Sequence, residues 1–273
     1  MCVVVFRRFI ARFIVVLILG GCAQRQALAL THGGQERIVL ALWARRHSPN
    51  VDSSPSFVAY ESGLVVYKRE SRGSAPRFFA VTLPPGERLS LWGADRLADL
   101  AHLEERYPAH YLGDGEYFVD SNTGAVRYAL QWRDANGLLR QVVVYGLLEE
   151  GKDHPDRRET PPPFLGMVDS LLGFAALEAK PLEVDSVVLV LSRMQLSKAP
   201  VQWPSSWPEP HHEGTNDWAE VRLPGRQYRE AFEWAAGLSR EGLGVRFDDT
   251  TWGVDVNVDL PGNPVQYRKS AAQ

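Results

Sequence analysis

Residues 126 to 133 read Val126-Arg-Tyr-Ala-Leu-Gln-Trp-Arg133, and after the turn Asp134-Ala-Asn-Gly137 the chain continues with Leu139 to Tyr145. Large apolar side chains alternate with small or polar ones along the first segment, which is the pattern of a strand that buries one face. The turn ends in glycine, as short hairpin connections commonly do. The sequence therefore predicts a β-hairpin at this point of the chain.

Similar signals occur through the rest of the sequence. Apolar or alternating runs predict further strands at residues 37–43, 56–60, 64–67, 77–83, 184–191 and 252–260. Apolar residues at helical spacing predict helices near 94–106, 164–177 and 228–238. Because these elements show few βαβ signals, we expect an α+β fold with a mainly antiparallel sheet built from hairpins and about three helices.

The first residues have the organisation of an export signal. Residues 1–21 contain three arginines and no acid, and they include the apolar run Phe13-Ile-Val-Val-Leu-Ile-Leu19. A membrane-spanning helix needs about 20 apolar residues, so this run is too short to span. It fits the apolar part of a secretory signal. We therefore expect residues 1–21 to be a signal peptide that is cleaved after export.

The residues at the expected cleavage point are Leu19-Gly20-Gly21-Cys22. They resemble the lipobox of bacterial lipoproteins, in which an apolar residue and two small residues precede a cysteine whose thiol takes a lipid. The resemblance implies a mature chain that begins at Cys22, takes up palmitate and is anchored at a membrane. The alternative is an ordinary cleavage site, such as one after Ala27-Leu-Ala29.

The composition of the mature chain suggests how it is divided. Residues 22–36 show no sustained period and are predicted to form a lipidated tether, whereas residues 37–268 are predicted to form the globular α+β region. Residues 149–163 combine acids, bases and three consecutive prolines, which predicts a sub-boundary or a long surface loop. Two short segments, Tyr60-Glu-Ser-Gly63 and Val144-Tyr-Gly146, are similar to segments of uncharacterised secreted bacterial lipoproteins, and this similarity implies no activity.

The net charge of the chain and the residue that follows Cys22 indicate what the protein binds and where it is located. The formal charge of −3 becomes −6 when the three arginines of residues 1–21 are removed, and no basic stripe of the kind that binds nucleic acid is present in the sequence. The expected partner is the membrane, through the lipid anchor. Ala23 stands where lipoproteins retained in an inner membrane carry aspartate, so resemblance to that sorting rule implies the outer membrane, facing the periplasm, in a two-membrane host.

The sequence contains no Gly-x-Ser-x-Gly elbow, phosphate loop, His-Glu-x-x-His helix or Gly-x-Gly-x-x-Gly fingerprint. Three residues, His211, His212 and Asp217, are of types that bind zinc. Adjacent histidines in a loop point in different directions unless the loop is fixed, so we expect no bound metal and no cofactor.

Residues 197–218 form a stretch rich in proline and tryptophan that includes Trp203, Trp207 and Trp218. Exposed aromatic side chains can stack on sugar rings or anchor a partner protein. The alternative is that these rings attach the loop to the core. We consider residues 197–218 the strongest candidate for a binding surface, with the three tryptophans as its candidate binding residues.

Two hypotheses about function follow from the sequence. The favoured one is a non-enzymatic, lipid-anchored lipoprotein of the cell envelope that binds a protein or an envelope glycan. The alternative is an envelope hydrolase, with or without metal assistance, that uses His211, His212 and acids brought together by folding. The favoured hypothesis assigns no catalytic residue.

Overall fold

The computed structural model of the 273-residue chain describes residues 36–45, 52–71, 74–104, 106–107, 127–145, 160–194, 198–211 and 217–262. The predicted signal peptide, Cys22, His212 and most of the 149–163 segment lie outside these residues. Within them, no helix is both long and apolar enough to cross a membrane.

Within the described residues, eight strands form the first sheet. In spatial order they are β5, β7, β6, β1, β2, β3, β4 and β8, and each pair is antiparallel except β5 with β7. Their bounds are β1 Ile38–Arg45, β2 Phe57–Tyr60, β3 Leu64–Ser71, β4 Ser74–Thr82, β5 Arg106–Tyr107, β6 Arg127–Arg133, β7 Leu139–Tyr145 and β8 Lys180–Pro181.

Five strands of the described part of the chain form the second sheet, in the order β10, β12, β13, β9 and β11. Here β10 and β12 are parallel and the other neighbours are antiparallel. Their bounds are β9 Ser186–Arg193, β10 Val201–Gln202, β11 Trp218–Pro224, β12 Val245–Phe247 and β13 Thr250–Val258. The α+β class and the mainly antiparallel pairing are therefore confirmed, with two sheets where the sequence predicted one.

The described residues contain four α-helices: α1 Pro85–Trp92, α2 Ala94–Leu100, α3 Pro162–Leu172 and α4 Tyr228–Glu241, the last preceded by a 3₁₀ turn at Gly225–Gln227. Helix α1 was not predicted, because prolines 84 and 85 suggested the end of a strand. Pro85 occupies the first turn of α1, where a missing N–H does no harm. Helix α4 ends at Gly242, whose φ of 64° is left-handed and suits glycine.

The first sheet is buried on both faces. Leu40 and Leu42 of β1 point to one side, where α1, α2 and α3 cover the sheet. Ala41 and Trp43 point to the other side and pack with the second sheet and α4. Alternate residues of one strand thus enter two different cores, and this explains why β1 reads as an unbroken apolar run rather than as an alternating one.

A buried ion pair joins the two sheets. Lys68 on β3 donates to the carboxylate of Asp52 at 3.0 Å, and both side chains are only 2 % exposed. Asp52 pairs with Val256 of β13 through an isolated parallel bridge. The next residue, Ser53, donates its backbone N–H to the Val256 carbonyl at 2.8 Å. The segment that begins at Asp52 therefore connects the edge of β13 to the first sheet.

The predicted hairpin of β6 and β7 is confirmed, and the Asp134 carboxylate stabilises its turn. One oxygen accepts the N–H groups of Asn136 at 2.9 Å and Leu138 at 3.0 Å, and the other accepts the Arg140 guanidinium at 3.1 Å. Desolvation acts to raise the pKa of Asp134, but these three donors together hold it below its ordinary value. The charged carboxylate is therefore favoured in the folded hairpin.

This arrangement makes stability depend on pH. Because the pKa of Asp134 is lower in the folded chain, its carboxylate stabilises the fold at pH values above the unfolded-state pKa of about 3.9. This contribution is lost as the pH falls through the folded-state pKa. We expect Asp134→Ala to lower the urea midpoint slightly at pH 7 and to match the parent at pH 2. Asp134→Asn, which keeps an acceptor, should lie between them at pH 7. An Ala variant that matches the parent at pH 7 would refute the role of this carboxylate.

Candidate functional site

A pocket of about 730 Å³ opens on the second sheet, at its β11 edge. Two parts of the chain form it: strands β9 and β11, and the loop segment 208–211 that precedes β11. Its lining combines an indole, an imidazole, two carboxylates, a guanidinium and three apolar residues. The lining residues are Val188, Pro208, Glu209, His211, Trp218, Glu220, Val221 and Arg222.

Strand β11 supplies four of the eight lining residues, and three of them share one face of the sheet because its side chains alternate. Ala219, Val221 and Leu223 are buried in the core between the sheets. Trp218, Glu220 and Arg222 must then share the opposite, outer face, since successive strand residues point to opposite sides. Trp218 is half-buried, whereas Glu220 and Arg222 are exposed. The outer face of β11 therefore offers an aromatic ring, an acid and a base in one row.

The loop segment 208–211 is fixed beside this row by a short antiparallel bridge. The His211 N–H donates to the Glu220 carbonyl at 3.0 Å, and the Glu220 N–H donates to the His211 carbonyl at 3.1 Å. Residues directly opposite in an antiparallel pair project to the same face. The bridge therefore places the imidazole of His211 and the carboxylate of Glu220 on the same side of the sheet.

A cluster of three tryptophans holds the loop in this position. Trp203 and Trp207 pack edge to face on one another and on Trp234 of α4, with ring centroids 4.9 to 5.7 Å apart. Trp207 is only 5 % exposed. The Trp203 indole N–H donates to the Pro208 carbonyl at 3.0 Å, at the point where the loop reaches the pocket. These two rings therefore attach the loop to the core.

The three tryptophans selected from the sequence have different surroundings in the structure. Trp207 is not an exposed ring, and Trp203 is half-buried against the core. Of the three, Trp218 lines the pocket. We expect direct contact with a ligand from Trp218, and a positioning role for Trp203 and Trp207.

The charges around the pocket are unevenly compensated. The Arg222 guanidinium binds the carboxylate of Asp259, which also accepts the Ser186 hydroxyl at 2.8 Å. Among the described residues, neither Glu209 nor Glu220 has a cationic partner, although both are exposed and line the pocket. The pocket therefore presents two uncompensated negative charges beside an indole.

The three residues considered for zinc do not come together in the described part of the chain. His211 lines the pocket, but Asp217 pairs with Arg193 at 3.3 Å, and His212 lies outside the described residues. No group of three or more His, Cys, Asp or Glu side chains placed to hold a metal occurs in the ranges that the structure describes. Cys22, the predicted lipidation residue, also lies outside those ranges.

Sequence reasoning missed the two acids and the arginine of the pocket: Glu209, Glu220 and Arg222. Residues 218–223 read Trp-Ala-Glu-Val-Arg-Leu, and this alternation was the available signal for a strand with Trp218, Glu220 and Arg222 on one face. Glu209 had no such signal, because its position depends on the bridge between His211 and Glu220.

Comparison with known proteins provides no function for this pocket, so the residues of the pocket are the basis for a functional proposal. No protein-family model, curated protein or solved structure to which the chain was compared is significantly similar to it.

Proposed function

We propose that this chain is a lipid-anchored binding protein of the bacterial cell envelope, and that the pocket beside β11 is its binding site. The pocket itself is the main support for a binding role. In it, Trp218 lies among charged residues that come from strand β11 and from the loop segment 208–211. Concave sites with an aromatic ring and a few polar groups are typical of ligand binding.

The sequence Leu19-Gly20-Gly21-Cys22 supports the anchor. One acyl chain gives only marginal membrane binding, whereas the two chains added through the cysteine sulfur hold a protein stably. Residues 23–36 would then act as a tether with a span on the order of 20 Å. Such a tether keeps the pocket close to the membrane surface and leaves it free to meet envelope components. With Ala23 after the cysteine, we propose the outer membrane of a two-membrane host.

One observation favours a second candidate function, envelope hydrolysis: His211, Glu209 and Glu220 line the same pocket. An imidazole and two carboxylates can serve as general acid and base. We favour binding because all three side chains are exposed. Release of new reducing ends from an envelope glycan, abolished by Glu220→Gln, would support hydrolysis instead.

The anchor is tested by metabolic labelling in the native host. We expect the parent protein to incorporate labelled palmitate and to stay in the membrane fraction after a high-salt wash. Cys22→Ser removes the thiol that accepts the lipid, so the label should be lost completely and lipoprotein-specific cleavage should fail. Cys2→Ser is the matched control and should label like the parent. Palmitate uptake by Cys22→Ser would contradict the proposed function.

A further inference from the structure

The pocket beside β11 has a size that restricts its ligand. Its volume of about 730 Å³ lies within the range of roughly 300–1,000 Å³ that is typical of small-molecule sites. A protein partner would more commonly use a broad surface of about 800 Å² on each side. A ligand of a few rings therefore fits the pocket better than the flat face of a folded protein does.

The apolar lining favours a ligand with a ring face. Trp218 is half-buried and offers part of its indole to the cavity, and Val188 and Pro208 contribute further apolar surface. Aromatic rings provide a large, rigid contact area for such a face. Around the indole, the His211 imidazole can donate to and accept from hydroxyls, and the Arg222 guanidinium can donate to them. This combination suits a sugar ring, which has an apolar C–H face and a polar rim.

The charges favour a positive group on that sugar. Glu209 and Glu220 have no cationic partner among the described residues, whereas the charge of Arg222 is compensated by Asp259. A ligand ammonium group near these carboxylates would gain from electrostatic complementarity, and the face of the Trp218 indole also attracts a cation. An acidic sugar would be repelled by the same carboxylates.

We propose that the pocket binds a saccharide that bears a positively charged amine, an amino sugar with its nitrogen not acylated. This inference rests on the proposed function, since it names the ligand class of the same site. Trp218 contacts the ring, and Glu209 and Glu220 contact the ammonium group.

Isothermal titration of the purified, lipidated protein in detergent tests this proposal. The probes are a glucosamine trimer, the N-acetylglucosamine trimer of the same length, and spermidine. We expect saturable binding of the glucosamine trimer, with the acetylated trimer and spermidine each at least about tenfold weaker. The affinity for the glucosamine trimer should fall as salt is added, because the carboxylates are exposed and their charges are screened.

Three variants separate the contributions of the ring and the charges. Trp218→Ala and Glu220→Gln should each weaken binding of the glucosamine trimer by about tenfold or more, and Glu220→Gln should reduce the preference over the acetylated trimer. Glu233→Gln changes an exposed glutamate of α4 outside the pocket and should bind like the parent.

Each contrary result overturns a stated part of the proposal. Equal affinity for both trimers would overturn the role of the amine, and equal affinity for spermidine would overturn the role of the ring. Absence of saturable binding at millimolar glucosamine trimer would overturn the whole inference. If palmitate labelling at Cys22 were normal in that same preparation, the anchor would stand while the ligand class would be wrong.

Discussion

Lys68→Met should destabilise the chain by roughly 3–5 kcal/mol, because it removes the buried ammonium group that pairs with the Asp52 carboxylate. Both side chains of the pair are 2 % exposed, and Lys68 also donates to the Ser54 carbonyl at 3.3 Å. Domains of this kind are stable by only about 5–15 kcal/mol, so the loss is a large fraction of the total. Urea unfolding of the chain without residues 1–21 measures it.

A double-mutant cycle shows whether the loss comes from the pair. Asp52→Asn keeps an acceptor for the Ser54 N–H but removes the charge, so combining it with Lys68→Met should recover part of the stability. Glu61→Gln is the control, because the Arg37–Glu61 pair is about half exposed and should contribute no more than about 1 kcal/mol. Additive effects of Asp52→Asn and Lys68→Met would contradict the account of a coupled buried pair.

Trp207→Ala should also cost roughly 3–5 kcal/mol, since it removes a large side chain from a packed cluster and leaves a cavity. The rings of Trp203 and Trp234 would each lose an edge-to-face contact. The same change should increase amide hydrogen exchange in residues 203–211, because the loop that carries Glu209 and His211 loses its attachment. Exchange measured by mass spectrometry and urea unfolding would together follow both effects.

Two further variants identify the cause of the Trp207 effect. The Trp207 indole N–H has no hydrogen-bond partner among the described residues, so Trp207→Phe should be milder, at about 1 kcal/mol or less. Trp218→Ala, at the half-buried pocket ring, should cost much less than Trp207→Ala. If Trp218→Ala were the more destabilising change, the assignment of one ring to the core and the other to the pocket would be reversed.

The strands could largely be predicted from the sequence because their signals are local. The hairpin turns at Gly63 and Gly137 both have the positive φ that glycine favours, and the alternating segment 127–133 forms β6. The division into two sheets could not be predicted, because it depends on which strands pair over long separations. Asp52 and Lys68 illustrate this limit, since no local pattern indicates that these two residues meet between the sheets.

The candidate site could be predicted only in part, for the same reason. Trp218 and His211 were selected from their chemistry, and both line the pocket. Glu220 lies directly opposite His211 because a loop residue pairs with an edge strand, and that register is invisible in composition or periodicity. Trp203 and Trp207 have the same side chain as Trp218, so only their packing against Trp234 distinguishes core rings from the pocket ring.

The lipid anchor is the central claim of the proposed function, and the mass of the mature N-terminal peptide tests it most directly. The protein would be purified from the envelope of its host, digested and analysed by mass spectrometry. We expect the first residue to be Cys22, with a diacylglycerol on its sulfur and Ala23 next in the sequence. A mature chain that begins after Ala29, or an unmodified peptide that retains residues 1–21, would contradict the account.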